Sequence, residues 1–159
     1  MASTITELMR RRMMGTRGES VDWKAIYMGI IDNTATDFIV PEGVTSIRVR
    51  LSSNSNIERV SFPSTLTFIS NYVFIGLTKI TNVTIPSSVT FIGQQTFQGC
   101  TNMQYMILEG TTPPTIYANT FTNNNCLFYV PDSAVNTYKA ANVWSNYASR
   151  IFPISDLTT

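Results

Sequence analysis

The sequence predicts a mainly β fold: a solenoid of about four coils, with a short N-terminal helical arm and a C-terminal capping helix. Three observations predict it. The first is a motif written twice between Leu66 and Leu108. Leu66, Ile69, Phe74, Gly76, Leu77, Ile80, Val83 and Ile85 recur as Val89, Ile92, Phe97, Gly99, Cys100, Met103, Met106 and Leu108, and every pair is separated by the same step. A fixed period of this length marks stacked coils, because a lone coil cannot bury its apolar edge. The second is composition. Charged residues make up 13%, about half the ~25% of ordinary soluble domains. Thr, Ser and Asn carry the polar surface instead, and β-branched threonine suits a pleated face. The third is a change of period at both ends of the chain, from strand-like alternation to helical spacing.

In chain order, residues 1–20 form an arm and hinge. Thr4 followed by Glu7 has capping-box spacing, and Ile5, Leu8, Met9 and Met13 share one helical face beside the cations Arg10, Arg11 and Arg12. A helix of about ten residues is marginal alone in water, so this one needs a surface to dock on. The stretch after the arginines is polar, unlike the apolar run of a secretory signal, and no segment reaches the ~18 apolar residues of a membrane span. Residues 21–43 read as an irregular capping coil with Trp23, Ile26, Tyr27, Ile30, Ile31 and Phe38-Ile39-Val40, closed by Pro41-Glu42-Gly43.

Residues 44–131 are the solenoid. Ile57, Val60, Phe62 and Pro63 match Ile80, Val83, Ile85 and Pro86, but Ile47 stands one position closer to Ile69 than Ile69 does to Ile92. After Leu108, Ile116 and Phe121 keep the spacing of Ile92 and Phe97, and Val130-Pro131 matches Ile85-Pro86 with a shortening around Asn123 to Asn125. Residues 132–159 are a cap. Asp132 is a candidate N-cap, Ala134, Val135, Tyr138 and Ala141 are spaced for a helix, and Trp144 and Tyr147 follow.

Val89-Thr90-Phe91-Ile92-Gly93-Gln94-Gln95-Thr96-Phe97-Gln98-Gly99-Cys100-Thr101-Asn102-Met103, continuing to Leu108, resembles the BspA-like leucine-rich repeat. That pattern has an Ile-Gly, an Ala/Thr-Phe, a Gly-Cys and a strand ending Ile-Pro-Ser. Residues 64–108 match closely, and 44–63 and 109–131 more loosely. Tyr129 to Lys139 with Trp144 to Ile151 is similar to the family's C-terminal cap. Leu77 replaces the Cys, and Glu109 stands where Pro is usual. The resemblance implies a leucine-rich-repeat (BspA-like) solenoid. A second resemblance lies in Met1 to Gly15, with its run Thr6-Glu7-Leu8-Met9-Arg10-Arg11-Arg12-Met13-Met14, which is similar to the leader on virion proteins of Bacteroidetes gut phages. It implies a capsid-decoration, head-fibre or tail-associated structural protein, anchored to a capsid or tail protein. The alternative is a bacterial cell-surface or secreted leucine-rich-repeat adhesin.

The chemistry-bearing residues point away from catalysis. There is no histidine, the commonest general base and metal ligand. The ten acids are scattered, and no phosphate-cradling glycine loop is present. Cys100 sits in a core slot and reads as a small buried hydrophobe, with a Cys100–Cys126 disulfide between coils as the alternative. The expectation is a non-enzyme with no cofactor and no metal. A net charge of +1 gives no field for nucleic acid or membrane. Binding is the better class, with two candidate surfaces. One is the arm face of Ile5, Leu8, Met9, Arg10, Arg11, Arg12 and Met13, which suits a capsid or tail partner or a homo-oligomer. The other is the outer strand strip. One row there reads Arg59, Asn82 and Tyr105 with Leu127 a candidate fourth member, and a second reads Ser61, Thr84, Ile107 and Tyr129. It grades from Arg48, Arg50 and Arg59 at one end to Tyr105, Ile107 and Tyr129 at the other, where a host protein or glycan would bind.

Overall fold

The computed structural model describes residues 36–48, 50–51 and 56–158. The predicted arm, with Ile5, Leu8, Met9, Arg10, Arg11, Arg12 and Met13, and residues 21–35 of the predicted capping coil lie outside them.

Among the described residues nine short strands follow one another: β1 (Asp37–Ile39), β2 (Ser46–Ile47), β3 (Arg59–Ser61), β4 (Phe68–Ile69), β5 (Asn82–Ile85), β6 (Phe91–Ile92), β7 (Tyr105–Leu108), β8 (Leu127–Val130) and β9 (Ile151–Pro153). Every ladder among them is parallel, because each strand meets its counterpart one repeat later. The ladder β2-β4-β6 runs along one side, extended by a single bridge from Phe91 to Thr115. On the other side lie the pair β1-β3 and the four-stranded sheet β5-β7-β8-β9. The register follows the expected spacing. Phe68 pairs with Phe91 and Asn82 with Tyr105 at the full repeat step, and Ile47 pairs with Ile69 at the anticipated shorter one.

The core is the row of apolar slots between the two sides. Phe74 stacks on Phe97 at 5.2 Å between ring centroids and Phe97 on Phe121 at 5.8 Å, so the repeated phenylalanine forms a column through three coils. Parallel-displaced rings at these distances add to the hydrophobic gain of burial. Backbone bonds also join coils at the corners, as in Phe74 N–H to Thr96 O and Phe97 N–H to Thr120 O, both 3.0 Å. The residue before each phenylalanine is buried too. Thr96 Oγ1 lies 2.9 Å from both Ser70 O and Gly93 O, and Thr120 Oγ1 donates to Gly93 O at 3.0 Å, so both hydroxyls are satisfied. At the next corner Gly76 and Gly99 have φ of 72°, and Asn123 takes that conformation at 55° in the shortened coil. Asparagine is among the few residues that tolerate it. Cys100 and Cys126 are free and buried, as the small-hydrophobe reading had it.

After β8 comes a 3-10 turn (Asp132–Ala134), then α1 (Val135–Ala140) and a 3-10 helix (Trp144–Arg150). Asp132 is not the helix cap that its position suggested: its side chain makes no cap bond, and Oδ1 accepts the Ser155 N–H at 3.2 Å. The last strand returns past that carboxylate, which offers it a closer partner than the helix N-terminus does. Tyr138 and Trp144 are fully buried, and their polar tips reach back to Gly110 O (2.9 Å) and Pro114 O (2.8 Å). Arg150 donates to Asn124 O at 2.8 Å and lies over the Tyr147 and Phe128 rings, fastening this segment to the shortened coil.

Candidate interaction surface

Alternation along a strand sends every second side chain outward. On the four-stranded sheet the inward residues Val83, Met106 and Phe128 are buried, as are Ile85, Leu108 and Val130. The outward rows are Asn82, Tyr105 and Leu127, and beside them Thr84, Ile107, Tyr129 and Phe152, each in ladder register with the next. The predicted rows thus stand together from Asn82 onward, with Leu127 in its place. They make a patch of Tyr105, Ile107, Leu127, Tyr129 and Phe152. Tyr105 meets Tyr129 edge-on at 6.0 Å, and Tyr129 lies tilted against Phe152 at 6.1 Å. Leu127 is exposed, and the other four are half-buried by one another. Phe152 is the member that sequence reading missed. The signal was its distance from Tyr129, the same step that separates Thr84 from Ile107, hidden because the helical cap intervenes.

The basic end of the strip is arranged differently. Arg59 does not continue the ladder to Asn82, because β3 and β5 belong to separate sheets. It forms a bidentate pair with Asp37, Nε to Oδ1 at 2.6 Å and Nη2 to Oδ2 at 2.8 Å. The guanidinium holds the Asp37 carboxyl below its usual range and is itself held more firmly protonated. Arg48 departs from the strip altogether. It follows β2 on the opposite side, where its guanidinium lies 4.7 Å from the Phe68 ring centroid. Phe68 in turn stacks flat on Phe91 at 4.6 Å, and Phe91 meets Tyr117 edge-on. The flat faces in this second aromatic row are turned on one another, on Arg48 and on Tyr117, which suits it to holding coils together.

Among the described residues, no group of three or more Cys, Asp or Glu side chains comes together as a metal site would need, and no helix is long and apolar enough to cross a membrane. Burial pushes the Cys100 thiol up to about 11 and the Cys126 thiol up to about 12, so both stay protonated and unreactive near neutrality. What the geometry offers is a rigid, mostly uncharged sheet face with aromatic and aliphatic side chains in fixed register. Comparison with curated proteins finds no match. The family model for the BspA type leucine rich repeat region, in 6 copies, matches residues 31–145, most of the chain. With parallel ladders one repeat apart and that match, the chain belongs to the BspA-type leucine-rich repeat family, whose repeat domains in general serve protein binding or adhesion rather than catalysis.

Proposed function

We propose that this protein is a non-enzymatic binding module of a bacteriophage virion, tethered by residues 1–20 and presenting the face of β5-β7-β8-β9 outward. The observation that carries the binding half is the patch of Tyr105, Ile107, Leu127, Tyr129 and Phe152, apolar side chains left outside a core that is otherwise filled. Contiguous aromatic and aliphatic surface on a rigid scaffold is the usual mark of a contact site. The virion half rests on the leader resemblance of residues 1–15 and on the sticky face of Ile5, Leu8, Met9 and Met13 with its three arginines. Residues 21–43 would then cap one end of a stack of about four coils, residues 44–131 would be the displayed solenoid and residues 132–159 its closing cap.

Deletion of residues 1–18 separates anchoring from folding. The truncated chain is expected to keep its melting temperature and to be missing from purified particles by mass spectrometry. Normal incorporation would sink the anchor. Tyr105→Ala with Tyr129→Ala is expected to leave particle assembly intact and to abolish attachment to host cells or to an immobilised host protein or glycan. A second reading, a bacterial surface or secreted adhesin, is favoured by the repeat family itself and by the Thr-, Ser- and Asn-rich surface. Recovery of the chain from cell envelopes, and not from particles, would select it.

A further inference from the structure

We infer that the molecule opens along the seam between β3 and β5, with the β2-β4-β6 ladder acting as its hinge. The two coils concerned are laddered on one side only. There Ser46 pairs with Phe68 and Ile47 with Ile69, and Leu51 N–H donates to Val73 O at 2.7 Å. On the other side, among the described residues, β3 ladders to β1 alone and β5 to β7 alone. A surface pocket of about 310 Å³ runs across the outer side of β1, β3 and β5, from Asp37 and Ile39 past Arg59 and Ser61 to Asn82.

The apolar slots record the same break. Val60 and Phe62 are half-buried, whereas their counterparts one repeat later, Val83 and Ile85, are each 1% exposed. Opening this seam breaks no backbone ladder, and it uncovers Val83 and Ile85 where they face Val60 and Phe62, which are partly exposed already. Opening the next one would break the four-residue pairing of β5 with β7 and uncover Val83 and Met106. The lining favours hydration, since Glu58, the Asp37–Arg59 pair and Asn82 all stand at its rim. Two things resist. One is an exposed side-chain bond, Lys79 Nζ donating to Asn56 Oδ1 at 2.8 Å, which water can replace. The other is the contact of Phe38 and Phe62 with Phe74, at 6.0 and 5.7 Å between ring centroids, which opening must break. Local opening follows the segments with least burial and fewest backbone bonds, and this seam has both. β1 and β3 lie on one side of the seam and the apolar patch on the other, so opening re-aims the patch relative to β1 and β3.

Spin labels on Ile39→Cys and Leu127→Cys, both exposed positions, span the seam at roughly 19 Å between backbones, four strand steps of about 4.8 Å. Labels on Thr84→Cys and Phe152→Cys span only the four-stranded sheet. Pulsed EPR is expected to give a second, longer population across the seam and a single narrow one within the sheet. A thiol at Val83→Cys, beneath the seam, is expected to be trapped by a maleimide about 100-fold faster than one at Met106→Cys in the next strand. The native thiols Cys100 and Cys126 are buried in both. One narrow population across the seam, or equal trapping rates, would overturn the hinge. The EPR labels sit on the surface, so that measurement decides even if a buried cysteine variant fails to fold.

Discussion

The pair β1-β3 and the sheet β5-β7-β8-β9 are written in the same repeat and face the same way, yet only the second is a finished wall. Its core slots, Val83, Met106 and Phe128 in one row and Ile85, Leu108 and Val130 in the next, are all at most 1% exposed. Val60 and Phe62 occupy the same slots in the preceding coil and are only partly buried. The apolar letter in the sequence is thus a necessary condition for burial, and the neighbouring coil supplies the rest. That coil is one position shorter from Ile47 to Ile57 than the next is from Ile69 to Ile80. A phenylalanine also stands where its neighbour has isoleucine. Among the described residues the ladder stops there: β3 pairs with β1, and β5 with β7.

The difference can be broken first by truncating one phenylalanine in each region. Phe97→Ala removes the middle ring of the column and is expected to cost roughly 3–5 kcal/mol in denaturant unfolding. Phe62→Ala at the seam is expected to cost less, about 2 kcal/mol, because its ring is already partly exposed. Equal losses would mean that the seam is closed in solution. Gly93 tests the tightness of the well-joined coils. A Cβ there would meet Asn71 Oδ1 and lie 2.5 Å from Asn71 N, so the two coils must part. Gly93→Ala is expected to lose about 3 kcal/mol, measured by the shift in melting temperature.

A smaller effect belongs to the buried hydroxyl. Thr96→Val keeps the shape but leaves Ser70 O without the hydroxyl donor, at about 1–2 kcal/mol. Val73 fills the same slot in the preceding coil without any hydroxyl, so Val73→Thr would show whether that coil can use one. The smallest effect is expected at the exposed Asp37–Arg59 pair, where Asp37→Asn should change stability by less than about 1 kcal/mol. Its sign is fixed by the depressed carboxyl. The contribution is present above the unfolded-state value near ~3.9 and is lost as pH falls through the lower folded value. Salt at roughly 0.5 M should erase it, and a chemical-shift titration of the carboxyl would follow it directly.

The sequence by itself determined the repeat, its register and the inside and outside of every strand in the well-matched coils. Phe74 above Phe97, Ile47 against Ile69 and the outward row Asn82, Tyr105 and Leu127 all follow from spacing. In a stack of coils a fixed period places equivalent residues one strand step apart, and alternation does the remainder. Tertiary structure decided what depends on two coils at once or on a partner far along the chain. β3 pairs with β1 and not with β5 although both carry the repeat's apolar slots, a break that no single repeat announces. Arg59 turns to Asp37 and Arg48 to Phe68 because those partners lie one coil away, and a guanidinium reaches whichever carboxylate or ring is nearest. Asp132 looked like a helix cap because a cap is a local feature, and it binds Ser155 because the chain returns past it after the helical cap. The same return lays Phe152 beside Tyr129 and completes the apolar patch. A strand that arrives after a helix carries no repeat of its own to announce it, and only the closed stack shows which edge it joins.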